Sequence, residues 1–370
     1  DRYVLIGNHR DAWGYGSIDP SSGTAALLET ARVLGQLKKE GWRPRRTIVF
    51  CSWGAEEYGL IGSTEWVEEH LHKLQERATA YINSDICTDG PALQATASPM
   101  LWKVLQEVVK KVPGVRSDGT LYDEWTAWFK QDQGVDAPVM ATLGSGSDHA
   151  PFAFFAGIPS LDFSFKYDQY VYNVTSGYAT YHTGYETFYL VDEIIDPGFK
   201  IHQGCSRFTS LTIKYLSDSV LLPYSVEDLP KAMDEAFDGL KENNDVLIAI
   251  YDKYPLLQEA VKELVLEAEK FQIMIQENLP NMDPISIRSY NDLMMHLEQV
   301  FILPEGLPGR PYVRHAVFSP SQFNSYAAAA FPGIVDLLYG LDELSGDNLV
   351  IRHKEISKHI SDLTIMMHTT

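Results

Sequence analysis

Two adjacent acids stand at the end of a short apolar run in this chain. Thr47 to Trp53 is rich in β-formers, Gly54-Ala55 allows a turn, and Glu56 and Glu57 come next. The pattern predicts a buried strand that ends on a carboxylate pair. Like charges side by side at the end of a buried strand repel each other, and a cation would offset them. One acid could then bind a metal while the other moves protons. The plainer reading is a solvated helix start, where acids are favourable.

Four more residues place an imidazole or carboxylate at a strand end or on a loop: His9, Asp19, Asp85 and His182. Strand ends of an open α/β sheet converge on one crevice. Two histidines and three carboxylates are a mixed nitrogen and oxygen set that zinc accepts. Five ligands exceed what one zinc with an open position needs, and fit two metals about 3.5–4 Å apart sharing a carboxylate. Each also has a duller role. His9 could be a loop residue bonded to Asp11, Asp19 an Asx-turn acid, Asp85 a strand-end cap and His182 a surface residue.

The elements around them read as strand–helix–strand. Arg2 to Gly7 predicts a strand, and Ser21-Ser22-Gly23 opens a helix with a capping residue. Leu27, Ala31, Leu34 and Lys38 form one face of that helix, and Gly41 stops it. The crossover to residue 47 suggests a parallel pair. A helix from Gly62 to about Gln75 follows, then a strand from Ala80 to Asp85 and a helix from Met100 to Val112. Val139 to Leu143 predicts a strand, Ala150 to Phe155 a helix, Ile158 to Phe163 a strand, and Leu190 to Leu216 one long helix. Alternation of strands and helices to residue 217 argues for an α/β domain over 1–217. Beyond Pro223, Leu257, Val261, Leu264, Ala268, Phe271 and Ile275 recur at helical steps, with further helices at 288–301 and 347–368. Residues 218–370 therefore read as a helical domain suited to packing or to a dimer interface.

The chain has 370 residues, 45% hydrophobic and 22% charged, with a net charge of -20. That balance disfavours nucleic acid or an anionic membrane as partner through a basic face. No apolar stretch is long enough for a transmembrane helix, and none reads as a signal peptide. The first residue is Asp1, as expected of a processed chain or a fragment. Cys51, Cys87 and Cys205 have no metal-type spacing, and Asn173-Val174-Thr175 is a glycosylation sequon for a secreted protein.

Several strings carry a resemblance: Gly7-Asn8-His9-Arg10-Asp11, Ile18-Asp19-Pro20-Ser21-Ser22-Gly23, Trp53-Gly54-Ala55-Glu56-Glu57-Tyr58-Gly59 and Tyr181-His182. The helical Asn291-Asp292-Leu293-Met294, Arg314-His315 and Phe331-Pro332-Gly333 extend it nearly end to end. Together they resemble the glutamate carboxypeptidase II and N-acetylated alpha-linked acidic dipeptidase-like family of dinuclear zinc exopeptidases. The resemblance implies a zinc-dependent exopeptidase fold, a mostly parallel mixed sheet flanked by helices, followed by an all-helical domain that forms homodimers. It implies two Zn2+, one held by His9 and Asp85, the other by Glu57 and His182, with Asp19 as the bridge before a cis peptide. Glu56 is implied as general base and Tyr181 as donor to the oxyanion of a peptide substrate, with Asp11 orienting His9. Glu65 and Glu68 match half of a structural Ca2+ site. The family's N-terminal anchor, first strands and apical insertion would lie before Asp1, which implies a cell-surface or extracellular location.

The substrate pocket departs from that family. Ser325-Tyr326 stands where the family has a lysine–tyrosine pair, and Asp162 and Ser164 stand where it has two arginines. An aspartate there repels an acidic substrate and attracts an α-amino group. Ser147-Asp148-His149-Ala150-Pro151-Phe152 is similar to zinc aminopeptidases. Ser145, Gly146, Ser147, Asp162, Ser164 and Tyr326 are the expected pocket residues. The expected activity is hydrolysis of dipeptides or short peptides. An aminopeptidase of broad specificity is the alternative, and a catalytically silent receptor-like homologue the second.

Overall fold

The computed structural model describes residues 1–167, 177–240, 247–323 and 328–370. Strand β1 (Tyr3–His9) leads to helix α1 (Ser21–Lys39), strand β2 (Thr47–Trp53), helix α2 (Ile61–Arg77) and strand β3 (Ala78–Asn83). Strand β4 (Ala92–Ala97), helices α3 (Trp102–Val109) and α4 (Leu121–Gln133), and strand β5 (Ser160–Lys166) follow. The sheet order is β2-β1-β3-β5-β4, parallel except for the β4–β5 pair.

The chain leaves β1 for β2 on one side and returns to β3 on the other. The carboxyl ends of β1 and β3 therefore flank a topological switch point, where a crevice opens. His9 closes β1 and Asp85 lies two residues beyond β3. Alternation along β1 and β3 feeds two cores. Val4, Ile6, Ala80 and Ile82 meet α1 and helix α5 (Lys200–Asp218), while Leu5 and Tyr81 meet Val67, Leu74 and Phe152.

Four sequence expectations change. The run at 47–53 is an edge strand, and Phe50 is 40% exposed, because no described strand flanks its outer side. Val139 to Leu143 is not a strand; only Ala141 bridges to Thr96, as the chain passes the rim of β4. The long helix at 190–216 breaks into Leu190–Ile195 and α5. Pro197 cannot donate a backbone hydrogen bond, and the Asp196 carboxylate accepts from the N–H groups of Ile201 and His202 instead. Helix α1 starts at Ser21 without a side-chain cap; the Ser22 hydroxyl donates to Ile18 O and accepts from Cys87 N.

Downstream, α6 (Asp228–Ala236), α7 (Tyr254–Asn278), α8 (Pro284–His296), α9 (Pro332–Leu338) and α10 (Gly346–Thr369) build the helical part. Leu257, Val261, Ala268 and Ile275 of α7 and Ile356, Ile360 and Leu363 of α10 are buried in one core. Two short strands, β6 (Phe318–Pro320) and β7 (Ala328–Ala330), add an antiparallel pair to this helical part.

Candidate metal centre and substrate pocket

The five expected ligands come together at the switch point. His9 Nε2 lies 2.9 Å from Asp85 Oδ1 and 3.2 Å from Asp19 Oδ1. On the other side, His182 Nε2 lies 3.1 Å from Asp19 Oδ2 and 3.2 Å from Glu57 Oε2. Asp19 thus turns one oxygen to each histidine, and its peptide bond to Pro20 is cis. Its backbone N–H donates to Glu186 Oε1 at 2.6 Å, and Tyr178 donates to the same oxygen.

His9 Nδ1 sits 2.9 Å from the carbonyl oxygen of Asp11. A carbonyl only accepts, so Nδ1 carries the proton and Nε2 is left facing the acids. The Asp11 carboxylate does something else. It accepts the backbone N–H groups of Glu56 at 3.1 Å and Glu57 at 3.2 Å, fixing the turn that carries both acids. Ala55 and His182 have φ of 58°, a left-handed conformation costly for non-glycine residues. His182 of the centre, and Ala55 just before Glu56, therefore sit on strained backbone. Glu56 Oε2 is 3.9 Å from His9 Nε2 and belongs to neither close pair.

The electrostatics are those of a crowd of acids. Burial alone would lower His9, yet Asp19, Asp85 and Glu56 push it up to about 12. Burial, then the Asp85 charge, pushes Glu56 up to about 9, and burial with Asp19 pushes Glu57 up to about 7. Asp19 Oδ1 is buried without a hydrogen bond. Four carboxylates around two imidazoles, one oxygen of them orphaned, fit divalent cations of the borderline kind that take both donor types.

A pocket of about 590 Å³ opens beside the centre, lined by Glu56, Asp85, Gly146, Ser147, Asp162, Ser164, Lys166 and Tyr181, among others. That is the size of a small-molecule site. Tyr181 stacks on His182 with ring centroids 3.7 Å apart. Ser147 donates to Asp85 Oδ2 at 2.5 Å, so its hydroxyl is already engaged. Ser145 is not in that lining, and Tyr326 lies outside the described residues. Glu65 and Glu68 are exposed on α2, and no third ligand joins them among the described residues. The sequence reading passed over Asn83, Glu186, Gln94, Thr96 and Lys166. Period-two placement of residues 162, 164 and 166 on β5 was the available signal for Lys166; for Glu186 there was none.

Residues 1–193 match Peptidase family M28, and residues 252–368 match the Transferrin receptor-like dimerisation domain. The aminopeptidase NAALADL1 of Rattus norvegicus is 40% identical over 93% of this chain and 47% of its own length. A probable glutamate carboxypeptidase, LAMP1, of Arabidopsis thaliana is 36% identical over 93% of this chain and 48% of its own length. The chain spans about half the length of these relatives. The structure of BSAP, a zinc aminopeptidase from Bacillus subtilis, aligns with a TM-score of 0.42 at 24% identity, over 59% of this chain and 47% of that one.

Proposed function

Because the chain belongs to Peptidase family M28, we propose that its centre hydrolyses peptide bonds near the end of short peptides with two zinc ions. The observation that carries this is Asp19, whose two oxygens face two separate histidine–carboxylate pairs. His9 and Asp85 would hold one ion, Glu57 and His182 the other, and Asp19 both. When bound, zinc polarises the scissile carbonyl and makes water a better acid.

The chain's own groups do the rest. Glu56 sits beside His9 and on the pocket wall; the burial and neighbouring acids that raise it are offset when cations are bound, which returns it to the carboxylate form, in which it takes the proton of the attacking water. As the water oxygen bonds to the carbonyl carbon, the carbonyl oxygen gains charge, and the Tyr181 hydroxyl donates to it. The carbon–nitrogen bond then breaks, and Glu56 passes its proton to the departing amine. Asp11 keeps Glu56 and Glu57 fixed relative to each other by holding both of their N–H groups.

The match to a dimerisation domain over 252–368 supports a homodimer through the helical half. Glu65 and Glu68 supply half of a calcium site, and the sequon at Asn173, outside the described residues, supplies a glycan acceptor in an extracellular protein. No described helix is long and apolar enough to cross a membrane.

The test is Glu56→Gln. It should abolish turnover of leucyl and N-acetyl-Asp-Glu substrates while elemental analysis still finds about two zinc per chain. Loss of zinc, or surviving turnover, removes Glu56 as base. A wild type without zinc favours the silent homologue.

A further inference from the structure

A buried amide joins the centre to the pocket floor. Asn83, fully buried at the end of β3, donates from Nδ2 to Ser147 Oγ at 2.8 Å and to Asp162 Oδ1 at 2.9 Å. Ser147 Oγ donates in turn to Asp85 Oδ2. Asn83 Oδ1 accepts from the Tyr81 hydroxyl at 3.2 Å, and that hydroxyl accepts from Trp53 Nε1 at 2.9 Å. An amide nitrogen has two hydrogens, and here each has one acceptor. The amide cannot rotate without leaving a buried partner unpaired. Asn83 is therefore locked, and it locks two acids.

The two acids differ in what they face. Asp85 Oδ1 meets His9, and its Oδ2 is taken by Ser147, so only one oxygen is presented to the centre. Asp162 lies on β5 in the pocket lining, and its side chain accepts from the Asn83 amide, with no ion pair to it among the described residues. Lys166, also in that lining, acts on Asp85 and on the buried Asp89. Asp162 is thus a carboxylate fixed in the pocket lining, without an ion-pair partner among the described residues and joined to Asp85 through three hydrogen bonds.

On the reading of the centre as a peptidase site, we propose that Asn83 is a positioning residue for two carboxylates. Through Ser147 it holds Asp85 beside His9, and directly it holds Asp162 to receive the free α-amino group of the substrate.

Three variants separate the two arms. Asp162→Asn should raise KM for leucyl-p-nitroanilide about tenfold at unchanged kcat and zinc content, the size expected for losing one charged hydrogen bond. Ser147→Ala should weaken zinc binding about 10- to 100-fold, as loss of a ligand's supporting partner does, while preference for the free amine persists. Asn83→Ala should do both. Calorimetry with a ketomethylene isostere of leucyl-glycine and its N-acetyl form gives a readout without turnover. Wild type should bind the free amine at least tenfold tighter, and Asp162→Asn should erase the difference. If Asn83→Ala fails to fold by circular dichroism, Ser147→Ala and Asp162→Asn still decide each arm. Unchanged amine preference in Asp162→Asn overturns the specificity role, and unchanged zinc affinity in Ser147→Ala overturns the positioning role. A wild type that binds no zinc and cleaves nothing defeats the peptidase reading, whereas isostere discrimination still reports on Asp162.

Discussion

Acid should loosen the helical half through a single imidazole. His359 on α10 is 4% exposed, and its Nε2 has no hydrogen bond. The ring packs so closely on Gly333 that a Cβ there would lie 2.1 Å from Nε2. Burial pulls His359 from the ordinary 6.5 down to about 4, with Asp362 opposing and Lys358 assisting. The folded state therefore keeps the ring neutral at a pH where the unfolded chain would protonate it. Between those two values the unfolded state binds more protons, so stability is full above 6.5 and falls as pH drops toward 4. The loss is about 2 kcal/mol by about pH 5 and about 3 kcal/mol by about pH 4. Other acids titrate in the same range, so the measurement is a difference. Urea melts of wild type and His359→Leu should be compared at several pH values with zinc held constant. Repacking around leucine shifts the whole curve, but it does not change with pH. The variant should gain on wild type by about 2 kcal/mol between about pH 7.5 and 5. Parallel pH profiles would refute the argument, as would a His359 resonance that titrates near 6.5.

Two more outcomes follow from the centre. Gly23 lies where a Cβ would meet Asp85 O at 1.9 Å and Ser84 O at 2.1 Å, both backbone atoms. Gly23→Ala should force α1 off the end of β3, costing about 3 kcal/mol or more in a melt and lowering zinc stoichiometry. Asp11→Ala should lower kcat about 10- to 100-fold, because the N–H groups of Glu56 and Glu57 lose their shared acceptor. His9 keeps the Asp11 carbonyl, so zinc analysis of that variant should stay near the wild-type value.

The meeting of His9, Glu57 and Asp85 was legible because strand ends in a parallel sheet share one edge of the fold; that Asp19 and His182, both on loops, join them was implied only by the family resemblance. The strand–helix–strand pattern from Tyr3 to Trp53 was legible because helical and strand periods differ along one chain. What periodicity cannot report is the position of a strand within its sheet. Thr47 to Trp53 looks apolar enough for the middle, yet it lies at the rim. Strand β4, Ala-Leu-Gln-Ala-Thr-Ala, escaped notice because small side chains give a weak β signal. Helix α4 was missed although Thr120 and Asp123 form a reciprocal cap, a signal present in the sequence. Asn83 was invisible for another reason. An amide at a strand end looks like a turn former, and only three-dimensional placement shows both of its hydrogens in use.

Among the described residues no strand pairs with the outer side of β2, and its row of peptide N–H and C=O groups is a template onto which another extended segment, of this chain or of a partner, can zip.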